Sequence, residues 1–428
     1  MTLFRGTFVD TPDNPMTGGA LRSATDAALL VQDGTITASG SYADLCRDHP
    51  GEPVEDLTGG LVLPGFVDTH VHYPQIRTIG ALGMPLLDWL EKSALPEEAR
   101  LTDDAYAGQI ATEFVQGLAR GGTTTALVFG SHFRGAVDAL FTEANRVGLR
   151  VTSGLVVSDR ILREDLHTDP ERAYAESADL ARRWHGVGHI RFAVIPRFSL
   201  SCTDDLLAVC GQLLADLPDL WFTSHLNENH AEIRTVTGLF EGAEHYLDTY
   251  AKHGLVGRRS VFAHNVHPTP AELRDLAAAD ATVAHCPTSN AALGSGLFPL
   301  REHLAAGVRV ALGSDVGAGT GFTLFKEGLQ AYFMQQLLGD RGHPLTAPDL
   351  LHLATKAGAE ALGLGQVVGD FSVGKRFDAL WVNPQPGSTM DVALRHAFSD
   401  EDALAKAFAL GTSPSVASVW VDGRRIAR

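Results

Sequence analysis

The chain changes its hydrophobic rhythm twice. At the N-terminal end short β-prone runs alternate with turn residues. ALLVQDGTITASG holds two such runs joined by Asp33-Gly34, a pair that favours a tight hairpin because both positions tolerate positive φ. The C-terminal end repeats that rhythm in FDALWVN (377–383) and SVWVDGRRI (418–426), the latter again with an Asp-Gly turn. In between, apolar runs of strand length alternate with segments whose apolar residues recur every three to four positions. The strand-like runs are FVDTHVH (66–72), TTTALVFG (123–130), RVTSGLVVS (150–158), IRFAVIPRF (190–198), LWFTSHL (220–226), RSVFAHN (259–265), ATVAHCP (281–287) and RVALGSD (309–315). Helix-like segments include DDAYAGQIATEFVQGLARG (103–121) and PAELRDLAAA (270–279). Strands alternating with helices in this way predict an α/β fold, a (β/α)8 TIM barrel. A helical stretch, PDLLHLATKAGAEALGL (348–364), is expected to lead back to the second β-like end. The expected organisation is a barrel over residues 63–375 and one small β-sandwich domain built from both termini, residues 1–62 and 376–428.

The unusual polar side chains fall at the C-terminal ends of these strands. His70 and His72 stand two residues apart on a strand, so they share a face, with Asp68 on that face too. Arg197-Phe198 end the fourth strand and His225 the fifth, with Glu228 just beyond; His264, His285 and Asp315 end the last three. In a barrel enzyme that end carries the active site. Neutral imidazoles beside a carboxylate form a mixed nitrogen and oxygen ligand set that suits zinc and also accepts iron or manganese. A metal ion with an open position lowers the pKa of bound water, and Asp315 and Glu228 are placed to move the protons.

Composition removes several alternatives. Charged residues make up 20% of the 428 and the net charge is −17, with no basic cluster, so nucleic acid is not an expected partner. The four cysteines, Cys46, Cys202, Cys210 and Cys286, form no CxxC pair, which fits a reducing cytoplasm rather than a disulfide framework. No apolar leader opens the chain and no long apolar run suggests a membrane span. His230-Ala231-Glu232 matches the first half of an H-x-E…P-C-x-x-C zinc-site signature, but no P-C-x-x-C accompanies it.

Several stretches together resemble the metal-dependent amidohydrolase superfamily and, within it, the guanine deaminase family. They are PGFVDTHVHYPQ (64–75), PLLDWLEK (85–92), PRFSLSC (196–202), SHLNEN (224–229), HCPTSN (285–290), LGSGLF (293–298) and LGSDVGAGT (312–320), followed by VVGDFSVGKRFDALWVN (367–383). The resemblance implies one zinc ion per subunit, held by His70, His72, His225 and Asp315. It implies Asp315 as water-activating group, Glu228 as proton shuttle and His264 as a partner of the substrate or the attacking water. Gln75, Arg197 and Phe198 would hold the purine, with Trp89 beside them. The implied reaction is hydrolysis of guanine at C2 to xanthine and ammonia, by a cytoplasmic homodimer acting in purine catabolism. Ser93-Ala94-Leu95 depart from the family's aromatic sequence at this point, so a changed pocket wall or dimer contact is expected there. The alternative within the superfamily is an aminohydrolase of another ring: a pterin, a triazine, cytosine or an adenosine derivative. The alternative outside it is a non-catalytic barrel, which a complete ligand set argues against.

Overall fold

The computed structural model describes all 428 residues. Strands β1 (Thr2–Asp10), β2 (Arg22–Gln32), β3 (Thr35–Ser41) and β4 (Val54–Pro64) come first. The β2–β3 turn is Asp33-Gly34, with φ values of 49° and 80°, as the dipeptide predicts. The chain then enters the barrel through β5 (Phe66–His72). The other barrel strands are β6 (Thr123–Phe129), β7 (Arg150–Ser153), β8 (Val156–Val157), β9 (Ile190–Pro196), β10 (Trp221–Leu226), β11 (Ser260–His264), β12 (Thr282–His285) and β13 (Arg309–Leu312). The expected third strand, 150–158, is therefore interrupted at Gly154; β8 is its continuation and pairs with β9. Ladders run in parallel from β5 to β13. The ring closes where Asp315 N donates to the His70 carbonyl and His72 N to the Val316 carbonyl, both at 2.8 Å.

The barrel strands are buried almost throughout, because helices cover a parallel sheet outside and side chains fill it inside. Helix Asp104–Arg120 illustrates the local logic. Its N-cap Asp103 accepts from the Ala105 and Tyr106 amides, and Ala107, Ile110, Ala111, Phe114, Val115 and Leu118 form its buried face at helical spacing. Val67, Leu127, Ile195, Trp221 and Val261 belong to a separate buried cluster with Ala359, Leu362 and Val368. Arg191, early in β9, donates to the Leu362 carbonyl at 2.7 Å, and Arg258, just before β11, to the Glu360 carbonyl at 2.8 Å. The segment after β13 thus stoppers the N-terminal end of the barrel and leaves the other end as the mouth. The predicted 348–364 helix is two helices, Ala347–Ala354 and Lys356–Ala361, broken at Thr355.

After the barrel come β14 (Ala379–Val382), β15 (Val416–Val421) and β16 (Arg424–Ala427). They join the first four strands in one sheet of order β16-β15-β14-β4-β1-β2-β3. The sandwich expected from the sequence is one continuous sheet that closes on its own face: Phe4 of β1 stacks on Phe377 at 4.1 Å and meets Trp420 of β15 at 6.0 Å. Between β14 and β15 the chain is helical, Thr389–Arg395 and Asp400–Leu410, where the sequence reading expected only β structure. Phe408 of the second helix packs on Phe325 at 5.4 Å, tying this excursion to the barrel.

Candidate active site

His70 and His72 end β5, His225 lies near the end of β10, His264 ends β11, and Asp315 follows β13 by three residues. The structure brings all five to the barrel mouth. His70 Nε2 lies 3.1 Å from His72 Nε2, which lies 3.3 Å from His225 Nε2. Asp315 Oδ1 is 3.2 Å from Nε2 of both His70 and His72. Asp315 and His264 take positive φ, 49° and 71°, a conformation rare for residues with a Cβ and concentrated at functional sites. Asp68 is not part of the group. It accepts from the Ser314 amide at 3.0 Å and from the Ser314 hydroxyl, so it fixes the backbone next to Asp315 instead.

These residues fit a divalent cation. The Nδ1 proton of His225 is donated to the Arg197 carbonyl at 2.6 Å, which leaves the Nε2 lone pair facing the other imidazoles. Burial pushes His72 down to about 4 and His225 well below its ordinary value, so both rings are neutral near pH 7. Imidazole lone pairs and a carboxylate oxygen crowded within 3.1–3.3 Å repel one another unless a cation lies between them. Groups His70, His72, His225 and His70, His264, Asp315 each have the spacing to hold a metal ion.

Glu228 sits in the loop after β10, buried, with its Oε2 3.5 Å from His264 Nε2 and its Oε1 accepting from Ser295 Oγ at 3.1 Å. Burial, reinforced by the charge on Asp315, raises its carboxyl to about 8. His264 is oriented from behind by Asn290 Oδ1, 3.0 Å from its Nδ1. Gln75, Leu86, Trp89, Leu90, Arg197, Phe198, Leu293 and Ala318 line the same cleft together with His72, His225, Glu228, His264 and Asp315. Arg197 is buried, not a surface rim residue, and its guanidinium lies over Phe198 at 5.7 Å. Gly317 turns tightly beside Gln75, where an added Cβ would come 2.2 Å from the Gln75 carbonyl oxygen.

Three expectations are corrected or completed. Ala94 and Leu95 pack into the main core and Ser93 faces a separate outer groove, so the 93–95 segment does not form a wall of the cleft. His285 binds nothing through either ring nitrogen and stacks on Phe298 at 4.2 Å. Glu98, which the sequence reading did not single out, is buried behind Arg197 and Gln75 and bonds to both at 2.7 Å. The only signal for it is a second glutamate after a proline in a helical stretch, which normally marks a solvated helix start.

The fold and this group of side chains define a class. The chain belongs to the amidohydrolase family, whose profile matches residues 61–426. Over nearly its whole length it is similar to guanine deaminases. It is 59% identical to the probable guanine deaminase of Deinococcus radiodurans, covering 99% of this chain and 98% of the relative. It is 38% identical to guanine deaminase of Escherichia coli, covering 99% and 97%. The E. coli guanine deaminase structure superposes with a TM-score of 0.96 at 37% identity, covering 99% of each chain. The structure of guanine deaminase from C. acetobutylicum with bound guanine in the active site superposes with a TM-score of 0.91 at 28% identity, again covering 99% of each chain. No helix is long and apolar enough to cross a membrane.

Proposed function

We propose that this chain hydrolyses guanine to xanthine and ammonia with zinc as its metal ion, held by His70, His72, His225 and Asp315. The observation that carries the reading is one cleft in which Arg197, Phe198 and Gln75 stand beside the His/Asp group. When bound, zinc supplies a Lewis acid that makes a hydroxide nucleophile available near neutral pH. The residues of the chain do the rest. The Arg197 fork donates to O6 and N7, both acceptors in guanine, whereas adenine presents an amino donor at position 6. Phe198 stacks on the base, Trp89 closes the same cleft, and Gln75, with one donor and one acceptor end, faces the N3 and 2-amino edge. Asp315 takes the proton of the attacking water and His264 holds that oxygen. As oxygen adds to C2, protonated Glu228 gives its proton to the ring nitrogen and then takes up the remaining hydroxyl proton, while Asp315 passes the proton it took from water to the departing amino group. The C–N bond breaks, ammonia leaves and C2 keeps the oxygen. Buried and raised to about 8, Glu228 is a group that can donate as well as accept near pH 7.

We also propose residues 63–375 as the catalytic barrel unit and residues 1–62 with 376–428 as the β unit. A homodimer acting in cytoplasmic purine breakdown completes the reading. All four cysteines are free thiols, which suits a reducing compartment. Light scattering that returns a monomer overturns the dimer. The experiment for the activity is ammonia release by zinc-loaded protein from guanine, with adenine, cytosine and a pterin alongside. Release from guanine alone, abolished by a chelator, is expected; turnover of another ring without guanine would overturn the substrate.

A further inference from the structure

Glu98 touches neither the His/Asp group nor the cleft, yet it stands between the two side chains proposed to read opposite edges of the purine. One carboxylate oxygen, Oε1, accepts from Arg197 Nη2 and from Gln75 Nε2, both at 2.7 Å. The other, Oε2, faces His132 Nδ1 at 3.5 Å. On its far side the Gln75 amide oxygen accepts from the Gly317 amide at 3.3 Å. A carboxylate can only accept and a backbone N–H can only donate, so these two neighbours fix which end of the Gln75 amide points where. The same oxygen ties one nitrogen of a planar guanidinium, which sets the plane of the fork while its other nitrogens form no bond within the chain.

We propose that Glu98 is a positioning residue for specificity: it locks the Arg197 fork and the Gln75 amide to one another, so that a 6-oxo group and a 2-amino group are recognised together. This rests on the guanine reading above. Glu98 also supplies the negative charge that a buried guanidinium needs. A carboxamide at this position has nearly the same shape but can present either end, so it no longer dictates the orientation of Gln75 and carries no charge.

The test uses zinc-loaded wild type, Glu98→Gln and Glu98→Asp, the last keeping a charge in the fold should the first not yield soluble protein. Measured are kcat and KM for guanine, and the inhibition constant of 2,6-diaminopurine, which replaces the 6-oxo group by an amino donor. The expected result is a fall in kcat/KM for guanine of at least tenfold, largely through KM. The 2,6-diaminopurine constant should rise by no more than a third of the factor seen for guanine, because that ring keeps its 2-amino and N7 contacts but cannot pair its position 6 with the fork. Parallel losses for both rings mark a merely structural role and overturn the proposal, as does guanine turnover within threefold of wild type in both variants. A wild type that releases no ammonia from guanine overturns the substrate reading and this inference with it.

Discussion

The backbone carbonyl of Arg197 holds the Nδ1 proton of His225 at 2.6 Å, while the side chain of the same arginine borders the substrate cleft. On the proposed reading, one residue therefore aims a metal-facing imidazole with its main chain and a base-reading fork with its side chain. The two duties separate on mutation. Arg197→Ala keeps the carbonyl, so metal content after purification should equal wild type. Guanine kcat/KM should fall on the order of 10–100-fold, the loss of a bidentate contact. Loss of the metal together with activity would show that the two ends are not separable in this way.

Metal removal should destabilise as well as inactivate, because the crowded imidazoles and carboxylate are left facing one another without a cation. Dialysis against a chelator should lower the melting temperature and abolish ammonia release, and added zinc should restore both. Saturation at a thousand times the dissociation constant corresponds to about 4 kcal/mol. Unchanged melting after verified demetallation would count against the ligand set.

Glu228→Gln removes the proposed proton shuttle while keeping shape and the Ser295 contact. Its kcat should drop roughly 10²- to 10⁴-fold, the usual worth of general acid–base catalysis, with little change in guanine binding by calorimetry. A variant that retains wild-type kcat would remove Glu228 from the chemistry.

Acid stability should carry the mark of a group remote from the site. Burial alone would raise Asp370, but Lys375, Ser372 and Lys356 outweigh it and hold the carboxyl at about 2. A carboxyl held below its unfolded value contributes stability above the unfolded pKa, near 4, and loses it as pH falls toward the folded one. The contribution is about 2 kcal/mol at pH 7, fading between roughly pH 4 and pH 2. Asp370→Asn should lower the melting temperature at pH 7 and flatten that part of the acid limb. An acid limb as steep as wild type would place the transition on other carboxylates.

The barrel was legible because its information is periodic and local. FVDTHVH (66–72) and the later apolar runs mark strands by their own composition, and His70, His72, His225, His264 and Asp315 stand where those strands run out. Asp33-Gly34 and Asp422-Gly423 announced their turns for the same reason: positive φ is a single-residue property. What escaped was relational. Nothing in PEEA sets Glu98 apart from Glu97, also buried, beside it, since its partners are the distant Arg197 and Gln75. For Asp68, strand alternation gives the face but not the partner, and Ser314 claims it across the barrel seam. The two helices between β14 and β15 were hidden by strand-like sequence on either side.

The interleaving of the two ends in one sheet sets a timetable for the newborn chain. Strand β4 pairs with β1 on one edge and with β14 on the other, and β14 lies more than three hundred residues further along. At translation speeds of about 5–20 residues per second, that second edge waits on the order of 15–60 seconds for its neighbour. Throughout that interval an apolar edge strand, Leu61-Val62-Leu63, offers unpaired amides and carbonyls to whatever is nearby. The arrival of β14, rather than completion of the barrel strands, decides when this edge stops being open to association with other unfinished chains.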